Sequence, residues 1–66
     1  MSVVINGEPR DLAPGTTVAA LVELLGMPRR GVAVALDGEV VRRGEWDARS
    51  VPDGSRVEVL TAMQGG

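Results

Sequence analysis

Cysteine, histidine, lysine, tyrosine and phenylalanine are all absent from this 66-residue chain, and one tryptophan is its only aromatic residue. Each absence excludes something. Without cysteine there is no disulfide, no thiolate metal cluster and no thiol nucleophile. Acid–base chemistry near neutral pH leans on His, or on Lys, Tyr or carboxylates with shifted pKa. Ser or Thr would need an adjacent base to become nucleophilic. A domain this small has little interior in which to desolvate two carboxylates and drive their pKa values apart. The residue set therefore argues against a stand-alone enzyme. Lack of cysteine is silent on compartment, because a thiol-free chain folds in reducing or oxidising surroundings.

Long apolar runs are missing too. The longest, residues 18–22 and 32–36, are far too short to span a bilayer. No charged start followed by an apolar stretch and a small-residue cleavage site is present. A cytoplasmic protein with no membrane partner is the expectation. Net charge is −2, and the arginines are scattered, as in Arg29-Arg30 and Arg42-Arg43, among nine acidic residues. Nucleic acid needs a concentrated basic footprint, and single strands need aromatic stacking platforms. Neither is here, so no nucleic-acid partner is expected.

What is present reads as alternating strands around one helix. Residues 2–6 alternate, with Val3 and Ile5 on one face. Asn6-Gly7 is a strong signal for a two-residue hairpin, because both positions tolerate positive φ. Residues 8–12 form the return strand, and Pro9 marks it as a sheet edge since it cannot donate to a ladder. Thr16 or Thr17 can cap a helix in which Val18, Leu21, Val22 and Leu25 share one stripe. Gly26 is the expected left-handed terminator, and Pro28 stops the helix resuming.

Residues 32–36 read as a buried strand, Val34 and Leu36 inward, Ala33 and Ala35 outward. Asp37-Gly38 turns the chain into a short strand at Val40-Val41. Residues 42–51 are irregular, with a tight helical turn over 44–47. Pro52-Asp53-Gly54 is a turn, and residues 56–62 form the last strand, Val57, Val59 and Thr61 alternating with Glu58, Leu60 and Ala62. The expected core is Val3, Ile5, Leu12, Val18, Leu21, Val22, Leu25, Val34, Leu36, Val57 and Val59.

A single amphipathic helix across one face of a mixed sheet buries every apolar stripe. This is an α+β fold of β-grasp (ubiquitin-like) type, with four or five strands and the first and last side by side at the sheet centre. Residues 1–62 make that domain. Residues 63–66, Met63, Gln64, Gly65 and Gly66, are expected to project from a central strand as a flexible tail. Glycine lacks Cβ, so such a tail can thread a narrow channel and present one functional group, the Gly66 α-carboxylate. An ionised carboxylate resists nucleophilic attack and must be activated, typically as an acyl-adenylate. No G-x-x-x-x-G-K run exists to cradle a nucleotide, so a partner must supply that chemistry.

The run from Arg29 through Val41 resembles the mid-section of the thiamine sulfur-carrier proteins of ThiS type. Further matches are Val3-Val4-Ile5-Asn6-Gly7, Gly15-Thr16-Thr17-Val18, Arg43-Gly44-Glu45-Trp46, the stretch from Pro52 to Val59, and the closing Gly65-Gly66. Together they cover nearly the whole chain. Two residues depart from the pattern: Arg42 stands where proline is common, and Ser55 where a second aspartate often follows the turn. The resemblance implies a carrier that binds no cofactor itself. An E1-like adenylating enzyme, using ATP and Mg²⁺, would activate Gly66. A sulfur donor acting through a persulfide would leave a thiocarboxylate, and thiazole synthase would take the sulfur.

Other carrier classes share the same tail: a carrier for molybdopterin or another sulfurated product, and a ubiquitin-like protein modifier. The short length and lack of phenylalanine lean toward the thiazole pathway. A ubiquitin-like binding domain with an inert tail is the blandest alternative. Leu60 and Ala62, with Ala33 and Ala35 nearby, are expected to form an apolar partner-docking face. Trp46 reads as a structural residue covering the core edge with its indole N–H hydrogen-bonded. Arg29-Arg30 follows the helix end, where positive charge suits the dipole. Nothing demands more than a monomer when the protein is free.

Overall fold

The computed structural model describes residues 1–61. Within them run β1 (Ser2–Ile5), β2 (Glu8–Asp11), α1 (Val18–Leu24), β3 (Val32–Leu36), β4 (Glu39–Val41) and β5 (Arg56–Thr61), with a 3-10 turn at Arg43–Glu45. The five strands form one sheet in the order β2-β1-β5-β3-β4. β5 runs parallel to β1 and antiparallel to β3, so the first and last strands are neighbours at the centre, as expected. The mixed sheet with a single helix is the β-grasp layout. Ala62, and with it the expected domain boundary at residue 62 and the tail 63–66, lies outside the described residues.

Two hairpins build the sheet, and both turns use left-handed backbone. Asn6 and Gly7 have φ of 50° and 82°, Asp37 and Gly38 of 49° and 85°. Such turns match the right-handed twist of the strands they join. β2, with Pro9, lies at an edge, where its missing N–H leaves no ladder gap. Alternation then sends Val3, Ile5, Val34, Leu36, Val57 and Val59 to one face, all of them buried.

That face is covered by α1, whose Val18, Leu21 and Val22 are fully buried. Thr17 is the cap, its Oγ1 accepting from the Ala20 N–H at 3.1 Å, while Thr16 donates its hydroxyl to the Ala13 carbonyl. At the other end Gly26, with φ of 73°, closes the helix. The Gly26 N–H reaches the Glu23 carbonyl and the Met27 N–H the Val22 carbonyl, the paired bonds of a Schellman motif. Leu25 is the cap residue itself and is only half-buried, so it flanks the core instead of belonging to it.

The irregular segment after β4 is more deeply integrated than its sequence suggests. Trp46 and Val51 are buried, as are Val41 at the end of β4 and Ala19 on the helix, and none is among the expected core residues. The segment's carbonyls serve the helix start, where the first N–H groups have no partner within the helix. The Val18 N–H donates to Arg49 and the Ala19 N–H to Trp46, while the Val51 N–H donates back to Thr16. Its helical turn lies at Arg43–Glu45, slightly before the expected 44–47. Arg42, which leads into it, has φ of −64°, the angle a proline ring would impose.

Candidate functional site: the central strand and its open face

β5 is the strand that leads toward the chain end, and it is held on both sides. On one side β3 pairs with it along its whole length, from Leu36 opposite Val57 to Val32 opposite Thr61. On the other, β1 pairs only as far as Ile5 opposite Val57, and then turns away into the hairpin. Two hairpin residues complete the grip. Asp37 accepts the Arg56 N–H on its Oδ1 at 2.8 Å, and its own N–H donates to the Arg56 carbonyl. Asn6 receives the Val59 N–H on Oδ1 at 2.8 Å and donates Nδ2 to the Val59 carbonyl at 3.1 Å.

The face of the sheet away from α1 is uncovered among the described residues. Register places Leu60 directly opposite Ala33, so two of the expected docking residues are neighbours. Leu60 is 66% exposed and Ala33 is exposed. Ala35 is half-buried and stands opposite Glu58 on one side and Val40 on the other. Ala62 lies outside the described residues. Val40 and Val4 add exposed apolar surface to this face that is not among the expected docking residues; the strand holding Val40 is too short for alternation to assign its facing. Shallow hollows lie on either side of Leu60, one toward Val4, Asn6, Arg56 and Glu58, the other toward Gly31, Val32 and Ala33.

Chemistry-bearing side chains do not converge in this region. All nine acidic residues are exposed, and no cluster suited to holding a metal ion occurs among the described residues. The buried polar side chain, Ser55, spends its hydroxyl on the Pro52 carbonyl at 2.8 Å. No helix among the described residues is long and apolar enough to cross a membrane.

Comparison with known proteins gives this geometry its context. A model described as the ThiS family matches residues 3–66. The chain belongs to the ThiS family. A sulfur carrier protein ThiS from Thermus thermophilus is 44% identical over 97% of this chain and 98% of its own. The crystal structure of a ThiS thiamine biosynthesis protein from Geobacter metallireducens superposes with a TM-score of 0.84 at 38% identity, covering all of both chains. A thiazole synthase from Paramagnetospirillum magneticum is 38% identical over the whole of this chain. This chain spans only 20% of that relative's length.

Within the ThiS fold, Trp46 and Arg29 make structural contacts. Trp46 is 1% exposed and sits inside the core, deeper than the edge position expected, with its indole N–H on the Val41 carbonyl at 3.0 Å. Arg29 does not address the helix end. Its guanidinium lies over the Trp46 ring, 5.7 Å from the centroid, and pairs with Asp47 at 3.0 Å. A planar cation is drawn to the indole face and the carboxylate together, and both lie within its reach. Of the expected sulfur-carrying group, Gly65 and Gly66 with Met63 and Gln64, the structure describes none; the family match runs through all four.

Proposed function

We propose that this chain is the sulfur carrier for making the thiazole ring of thiamine, with the Gly66 α-carboxylate as the group that carries sulfur. One observation carries the reading: the ThiS match extends through Gly65 and Gly66. Residues 63–66 act as the working tail of a β-grasp domain formed by residues 1–62.

The chemistry follows from what a carboxylate needs. With a reference pKa of about 3.3–3.7 it is ionised at neutral pH and unreactive toward nucleophiles. In an E1-like partner holding ATP and Mg²⁺, a Gly66 oxygen attacks the α-phosphorus and pyrophosphate leaves, giving an acyl-adenylate. The terminal sulfur of a donor persulfide then attacks the acyl carbon and AMP leaves. Cleavage of the resulting acyl disulfide by a thiol releases the thiocarboxylate, and the donor leaves as a disulfide. Thiazole synthase takes that sulfur into the ring, and the carboxylate returns.

Every one of these steps is done to the chain by a partner, which makes it a co-substrate and not an enzyme. Docking uses the open face around Leu60, Ala33 and Ala35, together with Ala62. The setting is cytoplasmic, and the free carrier is a monomer. Similarity to a thiazole synthase favours this acceptor over molybdopterin or a protein lysine. The test is to load the carrier with isotopically labelled sulfur and supply it to thiazole synthase with its other substrates. Label in the thiazole product supports the reading; label retained on the carrier, or passed to a protein, contradicts it.

A further inference from the structure

Asn6 does more than form a turn. The β1–β5 ladder is parallel, and it ends where the Asn6 N–H donates to the Val57 carbonyl at 2.9 Å. Had β1 continued, its backbone would have paired with Val59. The hairpin removes that backbone, and the Asn6 side-chain amide stands in for it, offering one acceptor and one donor to the same residue. Beyond Val57, the β1 side of β5 is therefore tied by this amide, two residues before the strand ends at Thr61.

The two hairpin turns make an instructive pair. Asp37 holds the start of β5 and needs only an acceptor in its side chain, since its own N–H serves the Arg56 carbonyl. Asn6 must serve both an N–H and a carbonyl with its side chain, and only a primary amide of this length does so. Each turn residue thus matches the strand it grips. One grips where β5 begins, the other where it departs.

We infer that Asn6 is a positioning residue for the carrier reaction: its amide fixes the direction in which β5 delivers the terminal glycines to the adenylating partner. This rests on the function proposed above. Displacement of a reacting group by about 1 Å can cost ~10²-fold in rate, so a strand end released on one side has a measurable effect.

The experiment compares Asn6→Gly with Asp37→Gly in the intact chain. Glycine accepts the positive φ at both positions, so each variant keeps its turn and loses only the side-chain grip. Pyrophosphate release is measured with the adenylating enzyme, ATP and Mg²⁺, alongside hydrogen exchange at the Val59 N–H. For Asn6→Gly we expect faster Val59 exchange and kcat lower by about tenfold, a fraction of the loss that misplacement can cause. KM should stay within about twofold, because the open face is unchanged. Asp37→Gly should keep kcat, and Asn6→Asp, which retains the acceptor but loses the donor, should fall between. Equal kcat for Asn6→Gly and Asp37→Gly, with wild type active, would overturn the positioning role alone. A wild-type carrier that releases no pyrophosphate would overturn the proposed function and this inference with it.

Discussion

The Trp46 indole N–H donates to the Val41 carbonyl at 3.0 Å, and both residues are sealed from solvent. The bond ties β4, at the sheet edge, to the loop that leads toward β5. It also satisfies a polar atom on the largest side chain in the core, which would otherwise be a liability.

Replacing Trp46 with Phe removes the donor and part of the ring, and leaves the Val41 carbonyl without its indole partner. An unsatisfied buried group costs roughly 1–3 kcal/mol, and lost volume adds to it. Arg29 also loses the face on which it rests. Urea denaturation followed by circular dichroism should show a fall of at least that size. A midpoint matching wild type would mean the bond is not formed in solution.

The helix offers a ranked pair. Leu21 is fully buried against the sheet, so Leu21→Ala should cost about 2–5 kcal/mol. Thr17→Ala loses the cap to the Ala20 N–H and should cost about 0.5–2 kcal/mol. The order is the informative part. If Thr17→Ala proved the more damaging, the helix would be held chiefly by its end and not by its apolar face.

Much of this arrangement is legible in the sequence because local chemistry and burial agree there. Asn6-Gly7, Asp37-Gly38 and Gly26 sit where positive φ is required, and the structure uses each that way. Period-two and helical stripes correctly face Val3, Ile5, Val34, Leu36, Val57 and Val59 toward Val18, Leu21 and Val22. Residues 42–51 defeat such reading, since no periodicity announces that Trp46 and Val51 are interior. Their burial follows from tertiary bonds to the start of α1. Arg29 is a similar case, because its partners Trp46 and Asp47 lie far along the chain. Asn6 hides a second role behind a first: the turn accounts for the residue so well that its grip on Val59 leaves no separate mark.

Leu60 tests the proposed docking face. It is exposed beside Ala33 and makes no part of the core, so Leu60→Glu should leave the denaturation midpoint within about 0.5 kcal/mol of wild type. Burying a carboxylate against an apolar partner surface is costly, and affinity for the adenylating enzyme should fall at least tenfold, about 1.4 kcal/mol. Calorimetric titration of the two proteins would show it. Unchanged affinity would move the docking site off this face.

Whether Gly66 carries sulfur is decided by the intact mass of the chain. The protein is incubated with the adenylating enzyme, ATP, Mg²⁺ and a persulfide sulfur source, then weighed whole. We predict a gain equal to one sulfur replacing one oxygen, absent when Gly66 is deleted. An unchanged mass with an adenylating enzyme shown to be active, or the same gain in the chain lacking Gly66, would contradict the account.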